Sequence, residues 1–315
     1  MEWTLVVAGP IISRSSEGEL KETFGKLSSL VESSGLKVIF STYPNEVPSK
    51  SERYPFRFVT LNDPGPDTFD ERFKMKAWER NRNSSRVLAS TRFGLSHVKT
   101  EFAIKSRIEL LPVDSEFIAG LGKIQNIMEE SAEIKISTLG PHYIGTQNNY
   151  KDAYLWIPDM IQFMRSVDML RLWQRAEKYW LEHKELWMQR PSNAIATEQV
   201  LGLAYANLFG TGYPLSEFHD FSRITLNRQV YRNICKWERS QIFTMKVTDL
   251  GLPRNRFTSI ELAQKHVDLP LNAKFKFPSY FKFKIAHLRK VAWINRIRIR
   301  YPVLTFHFWK SFFLH

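Results

Sequence analysis

Between Trp3 and Leu111 the chain alternates short apolar runs with segments of helical period, and that alternation leaves few folds open. "WTLVVAG" is a strand-like run broken by Gly9-Pro10, and "EGELKETFGKLSSLVESSG" spaces Leu20, Phe24, Leu27 and Leu30 near helical period, between a serine and Gly35. "LKVIFSTYP" and "RFVTLNDPGP" predict a second and a third strand. "ERNRNSSRVLASTRFGLSHV" predicts a helix with Val87, Leu88, Thr91, Leu95 and Val98 inward, and "TEFAIKSRIELL" a fourth strand. Residues three or four apart share a helix face, whereas strand residues alternate faces. Strands separated by helices cannot pair as hairpins, so the expectation is an α/β fold with a mainly parallel sheet flanked by helices.

In such sheets ligands bind outside the carboxyl ends of the strands. Three polar clusters are expected there: "STYPNE" (41–46), "NDPGPD" (62–67) and "KSRIE" (105–109). In the last, Lys105, Arg107 and Glu109 stand at every second position and share one face of an extended strand. That places two cations and a carboxylate at the strand's exit. A solvated strand end accounts for the same spacing.

From about 140 to 240 the chain is helix-rich and aromatic. Trp173, Trp180 and Trp187 recur every seven residues, as on one helix face packed against the sheet. The formal net charge of +13 is a property of the C-terminus. Residues 271–315 hold ten Lys or Arg and no acid, which leaves +3 for the rest. Cationic and aromatic throughout, this tail suits an anionic membrane surface, and nucleic-acid contact or packing on the core are competing readings.

Several function classes lose ground on composition. One cysteine, Cys235, excludes an internal disulfide framework and a cysteine-rich zinc site, and points to a reducing compartment. No apolar run reaches the ~20 residues of a membrane span. "MEWTLVVAGPII" reads as a strand, not a signal peptide. The sequence carries no Walker or Rossmann glycine loop, no G-x-S-x-G elbow and no paired histidines at metal spacing.

A helix, then a strand, then an acid at the strand's exit is the order in which GT-A-type sugar-nucleotide transferases place a metal-binding carboxylate. The pieces "VVAGPI" (6–11), "IFSTYP" (39–44), "LNDPG" (61–65), "NSSRVLASTRFGL" (83–95) and "FAIKSRIEL" (102–110) together resemble the WavE lipopolysaccharide synthesis family of bacterial glycosyltransferase-like proteins. Asn83, Arg86, Ser90, Thr91, Gly94, Lys105 and Arg107 keep the family pattern; Ser85, Val87 and Glu109 depart from an Asn, a Gln and an Asp. Further on, "LWIPDMIQFMRSVDMLRLW" and "ATEQV" align Asp159, Glu198 and Gln199 with family positions.

The resemblance implies transfer of a sugar from a nucleotide-sugar to a lipid-linked or polymeric bacterial surface glycan. It implies donor contacts from Gly9, Pro10, Thr42, Asn62 and Asp63, with Arg86, Lys105 and Arg107 on the diphosphate. It places Glu109 on a metal, Mn²⁺ or Mg²⁺, or on a donor hydroxyl, and makes Asp159 or Glu198 the general base. Turn chemistry at Asp63-Pro64-Gly65, an N-cap at Asp159 for a helix starting at Met160, and a first-turn position for Glu198 are the structural alternatives. The expected organisation is a nucleotide-sugar-binding α/β part (1–140), a helix-rich acceptor and catalytic part of the same domain (141–270) and a membrane-associating tail (271–315). The protein would sit peripherally on the cytoplasmic face of the inner membrane, without nucleic acid, its oligomeric state open. Rival readings are a basic nucleic-acid- or membrane-binding protein and a transferase-like chain without catalysis.

Overall fold

The computed structural model describes residues 3–14, 16–67, 83–111, 115–130, 136–139, 157, 159–188, 197–210 and 242–245. The chain divides into a unit Met1–Lys265 and a unit His266–His315. All described residues lie in the first unit; Cys235, within that unit, and the basic tail fall outside the described residues.

Seven strands form one sheet: β1 (Trp3–Ala8), β2 (Lys37–Thr42), β3 (Arg57–Thr60), β4 (Phe102–Ser106), β5 (Ile136–Leu139), β6 (Gln162–Arg165) and β7 (Ile242–Met245). Their spatial order is β3-β2-β1-β4-β6-β5-β7. β1 pairs parallel with β2 and β4, β2 with β3, and β5 with β7, while β6 runs antiparallel to both β4 and β5. The expected mainly parallel, helix-flanked α/β sheet is therefore present.

Strand alternation sorts the core into two layers. On one side Trp3, Leu5, Val7, Phe102, Ile104 and Phe163 meet α1 (Glu17–Ser34) and α3 (Ser115–Glu130). On the other, Val6, Ala103 and Met164 meet α2 (Ser84–Leu95), α4 (Ser166–Met188) and α5 (Thr197–Phe209). Trp173 and Trp180 are fully buried in this second layer, as their spacing predicts; the side chain of Trp187 lies outside the described residues. Among the described residues no helix is long and apolar enough to cross a membrane.

Local chemistry explains the boundaries. α1 starts on a capping box, Ser16 with Glu19, and ends at Gly35, whose φ of 70° is the left-handed C-cap favoured by glycine. α2 packs so close to the sheet that a Cβ on Gly94 would stand 2.6 Å from Val6 Cγ1 and 2.7 Å from Ser41 Cβ. Both obstacles are short, sheet-anchored groups with nowhere to swing. Gly94→Ala should therefore destabilise by about 1–3 kcal/mol, although alanine in a helix is intrinsically better by about 1. The midpoint of urea unfolding reads the outcome, and a rise would show that the helix can shift away.

Three expectations are corrected. The fourth strand stops at Ser106, and Ile108–Leu110 form a 3₁₀ turn. The Leu110 N–H donates to the Arg107 carbonyl at 3.0 Å, and Ser106 Oγ donates to the Leu110 carbonyl at 3.1 Å. Curling the chain buries Ile108, Leu110 and Leu111 together, which an extended strand could not do. The extended backbone on which Lys105, Arg107 and Glu109 were expected to share one face therefore ends before Glu109. Secondly, no helix starts at Met160. β6 intervenes and α4 begins only at Ser166, so Asp159 is not a helix cap. The part read as helix-rich thereby supplies β6 and β7 to the sheet. Thirdly, the helix predicted across 79–98 has its described turns at Ser84–Leu95, which leaves Val98 beyond its end.

Candidate functional site

β1, β2, β3 and β4 all end at one edge of the sheet, and antiparallel β6 starts there. Residues that follow the first four strands and precede β6 are therefore delivered to the same place. At the β1 exit Gly9 takes φ +112°, a conformation that strains any other residue, and its N–H donates to the Ser41 carbonyl at 3.0 Å. Pro10 follows, half-buried. Glu46, in the turn after β2, accepts the Ile11 N–H at 2.9 Å and the Ser13 N–H at 3.0 Å. Burial pushes its carboxyl up, but the amides of Ser13 and Ile11 outweigh that and hold it below the usual range. One carboxylate thus ties together the loops after β1 and β2.

Asn62 and Asp63 lie exposed after β3. Asp63 Oδ1 accepts the Gly65 N–H at 2.9 Å, the turn geometry its sequence announced. Its carboxylate also takes a two-pronged contact from Arg86, from Nε at 2.8 Å and Nη2 at 2.5 Å. These hydrogen bonds hold the Asp63 carboxyl low. The Tyr43 hydroxyl donates to the Arg86 carbonyl at 3.2 Å, and burial with the nearby Asp63 charge pushes its pKa up to about 12. Thr42 is fully buried, and its hydroxyl has no hydrogen-bond partner among the described residues.

The other cluster is buried. Lys105, 1% exposed, shares the α4 side of the sheet with Ala103, and its ammonium lies 5.2 Å from the ring centre of Trp173. Trp173 is itself fixed by donating from Nε1 to Gln162 Oε1 at 3.0 Å. Asp159, also 1% exposed, precedes β6 and faces the β4 exit. Its Oδ2 accepts from Arg107 Nη2 and lies 3.9 Å from Lys105 Nζ. Burial alone would push the Asp159 carboxyl up, but Arg107 and then Lys105 outweigh it and hold it low. Its Oδ1 has no hydrogen-bond partner among the described residues. The Arg107 side chain is 38% exposed, so it joins a buried carboxylate to the outside.

Glu198 enters this neighbourhood from the first turn of α5. The Ile157 N–H donates to the Glu198 carbonyl at 3.1 Å, and Thr197 Oγ1 lies 2.7 Å from Ser84 Oγ, so α5 is tied both to the segment before β6 and to α2. Burial pushes the Glu198 carboxyl up, the ionised Asp159 adds to it, and the pKa reaches about 7. Two carboxyls in one neighbourhood thus behave oppositely: Asp159 stays ionised and Glu198 exchanges a proton near neutrality.

The described donor set does not fit a divalent cation. Among the described residues no three of His, Cys, Asp and Glu converge. The side chain of Glu109 lies outside them. Asp159 already carries two cations, and a dication against it would face both. At an effective dielectric of ~20 each pair of like unit charges ~4 Å apart costs about 4 kcal/mol.

Asp67 escaped the sequence reading. It is 3% exposed and accepts from Ser85 N at 2.8 Å, Ser85 Oγ at 2.5 Å, Trp180 Nε1 at 3.2 Å and Lys184 Nζ at 3.0 Å. Asn83 makes no side-chain cap at the α2 N-terminus, and Asp67 supplies the carboxylate there instead. It thereby pins the end of the 62–67 loop to the helix that carries Arg86.

The family model described as WavE lipopolysaccharide synthesis matches residues 3–236. Among solved structures, similarity is found to a galactosyltransferase, LgtC, in complex with donor and acceptor sugar analogs (9% identity, TM-score 0.37, 89% of this chain and 99% of that one). It is also found to the apo-form glycosyltransferase GlyE of Streptococcus pneumoniae (8% identity, TM-score 0.33, 74% and 51%). A third is 4-diphosphocytidyl-2C-methyl-D-erythritol synthase of Anaerococcus prevotii (11% identity, TM-score 0.33, 65% and 98%). No curated protein matches.

Proposed function

The chain belongs to the WavE lipopolysaccharide synthesis family, and we propose that it is a glycosyltransferase moving a sugar from a nucleoside-diphosphate donor to a lipid-linked or polymeric bacterial surface glycan. One observation carries the reading. At the ligand-binding edge of the sheet a half-exposed guanidinium, Arg107, is held by a buried carboxylate, and a second carboxyl with a pKa of about 7 sits in the same neighbourhood. Sugar transfer asks for both: cations for the departing diphosphate and a base for the acceptor.

In this reading Arg86 and Arg107 meet the diphosphate. The Arg86–Asp63 pair is half-exposed, and pairs of that kind are worth at most about 1 kcal/mol, so an incoming phosphate can open it. Glu198, ionised, accepts the proton of the acceptor hydroxyl as its oxygen bonds to the anomeric carbon. The bond from that carbon to the phosphate oxygen breaks, and the nucleoside diphosphate leaves with the electron pair. Asp159 is already engaged by two cations, so the base role falls to Glu198. Gly9, Pro10, Asn62 and Asp63 border the nucleoside end. The tail 271–315 holds the protein to an anionic leaflet near its acceptor, on the cytoplasmic face.

The test is a thermal-shift screen of nucleoside diphosphates and nucleotide-sugars, repeated with Arg86→Ala. A ligand at ~100 times its Kd adds about 2.7 kcal/mol of stability, readily seen as a higher Tm. We expect one nucleotide to stabilise the protein and the variant to lose that shift. No shift with any nucleotide, in a sample that melts cooperatively, would overturn the reading.

A further inference from the structure

We infer that Arg107, oriented by Asp159, stands in for the divalent cation, so that the nucleoside diphosphate binds and leaves without a metal. The inference rests on the donor reading above and deepens it. A metal at such an edge would do two things: neutralise the diphosphate and fix its position against the sheet. The described residues already provide both through organic cations.

The support is layered. Gln162 fixes Trp173, and the Trp173 face carries the Lys105 ammonium. Lys105 faces Asp159, and Asp159 grips one side of Arg107. Each contact restricts the next, so the guanidinium reaches the sheet edge with its orientation set before any ligand arrives. A planar fork suits two phosphate oxygens at once, which a single ammonium cannot match. A dication approaching Asp159 through Oδ1 would still face the charges of Arg107 and Lys105, which both lie on Oδ2. In this arrangement Asp159 is a positioning residue acting through Arg107. Lys105, too buried to meet the donor as it stands, balances the charge of Asp159.

Isothermal titration with UDP, GDP, CDP, ADP and TDP, each in EDTA and in Mn²⁺, tests this. We expect the nucleotide that binds to do so within about two-fold in both buffers. Arg107→Gln should weaken it about 10- to 100-fold in each, the value of one charge-assisted contact. Asp159→Asn should weaken binding in the parent but add little in the Arg107→Gln background, since a residue acting through another loses its effect with it. Arg107→Lys keeps the charge without the fork and should recover only part of the loss, which guards against a variant that folds poorly. Binding that requires Mn²⁺, or survives Arg107→Gln, would overturn the inference and leave the donor reading standing. Binding in neither buffer would overturn both.

Discussion

Glu198→Gln should cut the rate of sugar transfer by ~10²–10⁴-fold, the usual contribution of a general base, while donor affinity stays near that of the parent. The amide keeps the volume of the side chain and leaves the carbonyl that accepts the Ile157 N–H untouched, so α5 stays in place. What is lost is proton acceptance. In the parent, kcat/KM should rise with pH through about 7, where the carboxyl ionises, and the variant should lack that limb. A variant that retains full turnover, or a parent flat in pH between 6 and 8, would remove Glu198 from the chemistry. Stability should move the other way. The pKa of Glu198 is raised in the fold, so its contribution is present below the ordinary value of 4.5 and declines as pH rises towards about 7. Asp159 is the opposite case: held below 3.8, it contributes above that value and loses its contribution as the pH drops further.

Asp67→Ala should cost about 2–5 kcal/mol of folding stability, out of the ~5–15 that a domain typically has. The substitution strands the buried Ser85 N–H and takes one acceptor from the Ser85 hydroxyl and from Trp180 Nε1, which still donates to Ser85 Oγ at 3.0 Å, while Lys184 can swing into solvent. It also removes the negative charge at the α2 N-terminus. Asp67→Asn, which keeps an acceptor, should cost less, about 1–3 kcal/mol. Urea unfolding monitored by tryptophan fluorescence separates the two, and an Ala variant within ~0.5 kcal/mol of the parent would show that water replaces the carboxylate. The surviving protein should bind nucleotide more weakly, because Arg86 adjoins Ser85 on the loosened helix end.

The first half of the fold was legible because its signals were local. Ser16 and Gly35 mark the two ends of α1 in the sequence itself, and β1, β2 and β3 end at Gly9-Pro10, Tyr43-Pro44 and the Asn62–Gly65 turn. β6 was not legible. Its four residues run into α4 with no breaker between Arg165 and Ser166, so apolar Ile161, Phe163 and Met164 blend into the helical period that follows. The curl after Ser106 was hidden for a related reason: Ile108, Leu110 and Leu111 satisfy a strand and a 3₁₀ turn about equally on paper.

Within the site, residue types were readable and pairings were not. Arg86, Lys105, Arg107, Asp159 and Glu198 each stood out. That Arg86 holds Asp63, and that Lys105 turns inward to Asp159, depends on which side of the sheet each faces. In sequence Asp67 looks like one more acid of a polar turn, because two of its partners, Trp180 and Lys184, lie 113 and 117 residues away.

The antiparallel course of β6 has a consequence for the nascent chain. β4 borders β1 on one side and β6 on the other, so a ribosome that has made the first four strands has left β4 as the rim of an unfinished sheet. Such a rim invites other chains to pair with it, and a charge aimed across the sheet face is one of the devices that discourages this. Lys105 provides that charge while it waits. Asp159 lies 52 residues beyond Arg107, roughly 3–10 s of synthesis at ordinary rates. A side chain that ends as the buried counterweight of the site thus begins as a charge on the open rim of an unfinished sheet.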